Sequence, residues 1–121
     1  LPSTTRQLAV ACARACEEKK AGGIVVLDVR KLTFISDYFV VCSATNERQA
    51  KAITESCKAA MKAEGIREQG LEGQNEGRWL LQDFVDVVVH VFHEAHREFY
   101  DLEGLWADAP RVRWKTKAAK A

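Results

Sequence analysis

Residues 78–100 read RWLLQDFVDVVVHVFHEAHREFY, and the fold depends on where this stretch passes from strand to helix. The β-branched run Val85-Asp86-Val87-Val88-Val89-His90-Val91-Phe92 has strand composition. Trp79-Leu80-Leu81-Gln82 just before it has the same character, and the segment from Asp83 to Asp86 between them is short enough to join the two as an antiparallel hairpin. Beyond His93, the sequence Glu94-Ala95-His96-Arg97-Glu98-Phe99-Tyr100 changes to helical composition. A helix is expected from Glu94 to Trp106, with Ala95, Phe99, Leu102 and Trp106 on one side and Asp108 and Pro110 ending it.

Working outward, Thr4 to Lys20 is alanine-rich, and Leu8, Ala11, Cys12 and Ala15 recur at helical spacing until Gly22-Gly23. Gly23 to Val29 and Tyr38 to Ala44 are apolar runs of buried-strand type. Asn46 with Gln49 three residues later predicts a capping box. Behind it Ala50, Ile53, Cys57, Ala60 and Met61 trace one helical stripe as far as Gly65. Gly65 to Gly77 carries four glycines and reads as a loop holding at most a short strand. The order α, β, β, α, β, β, α predicts a single α/β domain with a mixed sheet flanked by helices. Residues 1–110 form that domain, and the basic stretch 111–121 is expected to be a loose, flexible tail.

Composition fits this reading. The chain has 121 residues, 47% hydrophobic and 29% charged, enough for one core. No apolar run approaches the ~18 residues of a membrane span, and the expected location is cytoplasmic. The first residue is Leu1, which leaves room for a trimmed start or leader. A net charge of +1 gives no global attraction to nucleic acid. Charge is uneven, though: Glu94 to Asp108 holds five acids against Arg97, and Arg111 to Lys120 holds five bases and no acid.

The residues with chemical potential do not assemble into a site. His90, His93 and His96 are spaced three apart across a strand-to-helix boundary, whereas helical zinc pairs use a spacing of four. His90 shares a strand face with Val88 and Phe92, and the other two belong to the junction and the helix. Cys12, Cys16, Cys42 and Cys57 form no CxxC pair and read as reduced, buried small hydrophobes. Cys12 and Cys16, four apart, are only half of a zinc site. Cys42-Ser43 lacks the glycines of a nucleophile elbow. Asp28 and Asp37 flank strands, where aspartates act as turn formers and caps, and Asp83 and Asp86 brace a tight turn. Gly70, Gly73 and Gly77 lack the strand, helix and lysine of a phosphate loop. Neither a metal nor a cofactor is expected.

Two stretches, SDYFVVCSATNERQAKAI from Ser36 and EGRWLLQDFVDVVVHVFHEAHREFYDLEGLWADAP from Glu76, closely resemble the ribosomal silencing factor family, also called Iojap-like proteins. The similarity runs from the first helix to Ala109. The resemblance implies a non-enzymatic regulator that binds the large ribosomal subunit at its ribosomal protein fourteen, blocks joining of the small subunit, and represses translation in stationary phase or starvation. Organelle relatives act in large-subunit assembly. The resemblance further implies a nucleotidyltransferase-like fold, which makes an enzyme the rival reading. That chemistry needs a Gly-Ser motif and a closely spaced acidic pair. Here Cys42 precedes Ser43, and Asp83-Phe84-Val85-Asp86 has the wrong spacing for one strand face. Partner contacts of the family map to the strand carrying Trp79, Leu80 and Asp83, with Trp79 as anchor or, alternatively, as core. The acidic residues Glu94, Glu98, Asp101 and Glu103 suit a basic protein surface. Arg111, Arg113, Lys115, Lys117 and Lys120 suit ribosomal RNA phosphates. A homodimer is an open alternative for the free chain. One departure stands out: Val85 occupies a position where the family usually has glycine, so either the turn differs or Val85 adds an apolar contact.

Overall fold

The computed structural model describes residues 3–115. Helix α1 (Thr5–Glu18) leads into β1 (Gly22–Asp28) and β2 (Tyr38–Ala44), followed by α2 (Glu47–Ala63). Then come β3 (Gly70–Glu72), β4 (Trp79–Asp83), β5 (Val87–His93), α3 (Glu94–Tyr100) and α4 (Leu102–Leu105). The sheet order is β1-β2-β5-β4-β3, with β2 and β5 parallel and every other pair antiparallel. Parallel neighbours need a long crossover, and α2 with the β3–β4 segment supplies it. The α/β domain with a mixed sheet flanked by helices is as expected, including the β4–β5 hairpin and the short strand in the glycine-rich loop.

Strand β5 is central and buried on both faces, which is why it reads as a continuous apolar run. On one face Val26, Tyr38, Val40, Cys42, Leu80, Val87, Val89 and Val91 form a core with Leu8, Cys12 and Cys16 of α1 and Ile53, Cys57 and Met61 of α2. On the other, Leu27, Phe39, Val41, Val88 and Phe92 meet Leu102 and Ala109. Ala and Cys on the facing helices let the backbones approach closely. All four thiols are free and buried, with Cys16 Sγ 3.6 Å from Cys57 Sγ.

Three expectations need correction. The capping box at α2 is only half formed: Asn46 accepts from the Gln49 N–H at 2.8 Å, but the Gln49 side chain does not return to Asn46. Its carbonyl oxygen instead accepts from the Thr45 N–H, and its amide donates to the Lys19 and Lys20 carbonyls at 3.0 Å, joining the start of α2 to the end of α1. The complete box is at α1, between Thr4 and Gln7. Second, the helix expected from Glu94 to Trp106 breaks at Asp101, which takes a left-handed conformation (φ 44°, ψ 52°) and caps α4 by accepting from the Gly104 N–H at 3.1 Å. Ala95 and Phe99 of the expected stripe lie on the outer side of α3, and of the stripe only Leu102, after the break, is buried. Third, the tail is not loose where it begins. Asp28 N–H donates to the Pro110 carbonyl and Val112 N–H to the Val26 carbonyl, both at 2.8 Å. Arg111 bridges to Leu27, Val112 is buried, and the Trp114 indole donates to the Ile24 carbonyl. The segment covers the free edge of β1, which would otherwise offer unpaired backbone groups. Lys117 and Lys120 lie outside the described residues.

The β4–β5 turn settles the alternatives at Val85. Asp86 N–H donates to the Phe84 carbonyl at 3.0 Å, and Val85 has φ 74°, which defines a γ-turn of the rare, strained form. Asp83 Oδ1 accepts from the Val85 N–H at 2.7 Å and holds the conformation in place. Val85 thus keeps a glycine-type backbone, and its side chain is 53% exposed, with little packing in return. Val85→Gly is expected to stabilise the fold by about 1 kcal/mol, the relief of a left-handed β-branched residue less the extra freedom of glycine when unfolded. Denaturant titration of both proteins checks this; an unchanged or lower midpoint would mean that the turn carries no strain.

Candidate functional site

Alternation along β4 sends Trp79, Leu81 and Asp83 to one face and Leu80 and Gln82 to the other. Of the three residues expected to meet a partner, only Trp79 and Asp83 therefore share a surface. Leu80 is 7% exposed and belongs to the core on the α1–α2 side, so it supports the strand from behind. Trp79 itself is intermediate between anchor and core. One face of its ring stacks on Phe92 (centroids 5.0 Å apart, 26° between planes), and Tyr100 flanks it at 5.1 Å. Its indole N–H donates to His90 Nδ1 at 3.1 Å, and the residue stays partly exposed. The β3–β4 loop is pressed against it from behind: Gly73 has φ 90°, and a β-carbon there would strike the Trp79 carbonyl.

Helix α3 packs mainly on β5 and β2, reaches β4 through the Tyr100 ring, and leaves the β4 residues of this face only partly buried. Leu81 and Tyr100 are partly buried beside Trp79, and Phe99, its ring 5.4 Å from that of Tyr100, is 82% exposed. An exposed phenylalanine beside a half-buried tryptophan makes this face the candidate docking surface. The adjoining charge is acidic. Glu94, Glu98 and Asp101 are exposed on α3 and its C-cap, whereas Glu103 is paired with Arg97 at 3.0 Å.

Arg97, read in the sequence only as a lone base among acids, is a structural clamp. Its guanidinium takes Glu103 through two bonds and also donates to the Gly22 carbonyl, the Gly23 carbonyl and Ser43 Oγ. One side chain thereby ties the α3–α4 unit to β1 and β2. The nearby Gly22-Gly23 pair was its only sequence signal.

The remaining polar groups are also committed to structure. His93 caps α3, its Nδ1 accepting from the Ala95 N–H at 3.1 Å, and its ring lies 5.7 Å from that of His96. His90 lies inside the sheet, apart from both. Among the described residues no three His, Cys, Asp or Glu side chains are grouped to hold a metal ion. The Cys42 thiol is pushed well above its usual range by its hydrogen bond with Cys16 and by burial, the opposite of an activated nucleophile. Asp28 is held below the usual carboxylate range by the Arg30 guanidinium, which meets it at 2.9 and 2.7 Å. Asp37 accepts from Thr5 Oγ1 at 2.9 Å.

Fold and surface together define a small α/β domain with an aromatic and acidic face. Its family is clear from comparison: the profile described as "Ribosomal silencing factor during starvation" matches residues 2–121, and the chain belongs to that family. It is 43% identical over 98 residues to the ribosomal silencing factor of Bacillus subtilis, covering 81% of this chain and 83% of that one. The chloroplastic protein Iojap of Zea mays is 35% identical over 107 residues, 86% of this chain and 45% of the longer plant protein. A crystal structure of a Chromobacterium violaceum protein superposes with a TM-score of 0.82 at 34% identity, covering 98% of both chains. No helix among the described residues is long and apolar enough to cross a membrane.

Burial lowers the His90 pKa from 6.5 to about 4, so the folded protein keeps this imidazole neutral while the unfolded chain protonates it first. The unfolded state binds more protons between those values, and stability must fall as pH falls through that window. From pH 7 to pH 5 this one group should remove about 2 kcal/mol. Urea titrations at the two pH values check it: His90→Leu should flatten the difference by about that amount, and an equal slope in both proteins would place the acid sensitivity elsewhere.

Proposed function

We propose that this protein is a translational repressor that acts without chemistry. It binds the large ribosomal subunit at ribosomal protein fourteen and blocks the small subunit by occupying its docking space. The observation carrying this is the β4 face, with Trp79 at one end beside Tyr100 and Asp83 at the other, on a chain of the silencing factor family. Excluded volume requires only a firm seat. A protein interface of standard size buries roughly 800 Å² per partner, and its energy concentrates in a few aromatic anchors. Trp79 is the anchor, supported from behind by Leu80, and Asp83 with the free acids Glu94 and Glu98 complements a basic protein surface. Arg111, Arg113 and Lys115, exposed along β1 at the far side of the sheet from β4, are bases that would suit ribosomal RNA phosphates. Of the polar groups the rival nucleotidyl-transfer reading would use, Asp83 braces the β4–β5 turn and Ser43 belongs to the Arg97 clamp. The work is done in the compartment that holds the ribosomes, when nutrients run short.

Sucrose-gradient sedimentation should place the protein with large subunits and not with small ones, and added protein should reduce the fraction of joined ribosomes. Trp79→Ala should weaken large-subunit binding by about 2 kcal/mol or more, roughly thirtyfold. Asp83→Asn keeps an acceptor for the Val85 N–H while removing the charge, so it should slow association with little change in stability. Unchanged joining at saturating protein, with active subunits, would overturn the repressor reading. Full binding by both variants would move the seat off β4.

A further inference from the structure

His90 makes one hydrogen bond in the described structure, and it is an unusual one. The ring is 3% exposed, set edge-on to Phe39 with centroids 4.8 Å apart, on a strand where the alternate positions Val88 and Phe92 are apolar. Its Nδ1 accepts from the Trp79 indole N–H at 3.1 Å. A neutral imidazole accepts at one nitrogen and carries hydrogen on the other, so the proton is on Nε2. That Nε2 is buried and has no partner among the described residues. Nothing but the indole therefore decides which nitrogen is protonated. An apolar side chain would fill this position without desolvating two ring nitrogens for a single bond. Space-filling alone does not account for a histidine here.

The indole gains what the imidazole gives up. Trp79 lies flat on Phe92 with Tyr100 at its side, and flat stacking alone lets the ring turn over in place, with its N–H at either edge. The bond to His90 selects one of these orientations. We propose that His90 is a positioning residue: its Nδ1 holds the Trp79 indole in the one orientation in which its exposed part meets the partner. This rests on Trp79 being the anchor of the binding face proposed above. Fixing the ring before binding removes an ordering cost that the complex would otherwise bear.

The test compares two substitutions that a positioning role and a space-filling role order oppositely. Asn places its amide oxygen close to where Nδ1 sits, so His90→Asn keeps the acceptor but underfills the site. His90→Leu fills the site but has no acceptor. Large-subunit binding is measured for both, together with the Trp79 indole N–H resonance in two-dimensional nitrogen–proton spectra, assigned with Trp79→Phe. Positioning predicts that His90→Leu binds about tenfold more weakly, in line with the loss of one buried hydrogen bond, and that its indole resonance moves to the field of an unbonded N–H. His90→Asn should bind within about threefold of the parent and keep the bonded resonance, even with a lower melting temperature. Parental binding by His90→Leu, or an indole resonance that does not move in it, overturns the proposal. So does a His90→Asn protein that is folded by its spectrum yet binds more weakly than His90→Leu. Parental binding by Trp79→Ala overturns both this proposal and the anchor on which it rests. Loss of binding by Trp79→Ala with parental binding by His90→Leu overturns this proposal alone.

Discussion

The register of β5 between its two neighbours is the constraint on which everything else hangs. Seven consecutive residues of β5, Val87 to His93, pair in parallel with Tyr38 to Ala44, and five of them pair on the other side with Trp79 to Asp83. A slip of one residue would exchange the faces of the strand. His90 and Phe92 would then point under α1 and α2, and Val89 and Val91 would come up beneath Trp79. Composition alone does not prevent such a slip, because both faces of β5 are apolar. The hairpin turn does. Asp83 accepting from the Val85 N–H, with Phe84 and Val87 closing the backbone beside it, fixes Asp83 opposite Val88 and hence Trp79 opposite Phe92. The left-handed valine is the local cost of that register.

The two faces of the sheet are closed to different extents, and the difference separates scaffold from surface. Two long helices cover one face, and small alanines and cysteines at their contact let them lie close. The other face receives one two-turn helix and one single turn, enough for β2 and β5 but not for β4. Asp101 creates this shortfall. A continuous helix to Trp106 would have carried the chain in a different direction and changed what covers the sheet. The left-handed residue lets Leu102 turn back into the core while Phe99 and Leu105 stay outside. Arg97 then holds the short unit to β1 and β2.

Much of the fold was legible because strands and helices with one buried side announce themselves by period, and β2, β4, β5 and both long helices do so. What escaped depended on partners distant in sequence. Arg111 to Trp114 is basic and follows a proline, so it reads as tail; only the free edge of β1 turns it into a covering strip. Gln49 has the right spacing for a capping box, yet the carbonyls ending α1 draw its side chain away. Leu80 was legible as facing away: alternation already separated it from Trp79 and Asp83, and its place among expected contacts came from the resemblance alone. The role of His90 was out of reach, because a strand histidine gives no sign of its neighbour until Leu81 is set opposite it and Trp79 is seen lying alongside.

On the function proposed above, a repressor that works by occupying space has different requirements from an enzyme built on a similar sheet. An active site needs polar groups left partly unsatisfied until substrate arrives, which lowers stability where the chemistry occurs. Here Arg97, Asp28, Asp37, Gln49 and Ser36 are each bound into caps, turns and strand edges, so the polar residues stabilise the domain instead of waiting for a ligand. What the seat needs is a rigid, mostly apolar surface whose largest side chain is already ordered. A tryptophan on a loop would lose its freedom on binding. One that is stacked on Phe92, flanked by Tyr100 and bonded to His90 has lost that freedom on folding, which leaves more of its contact energy for the partner.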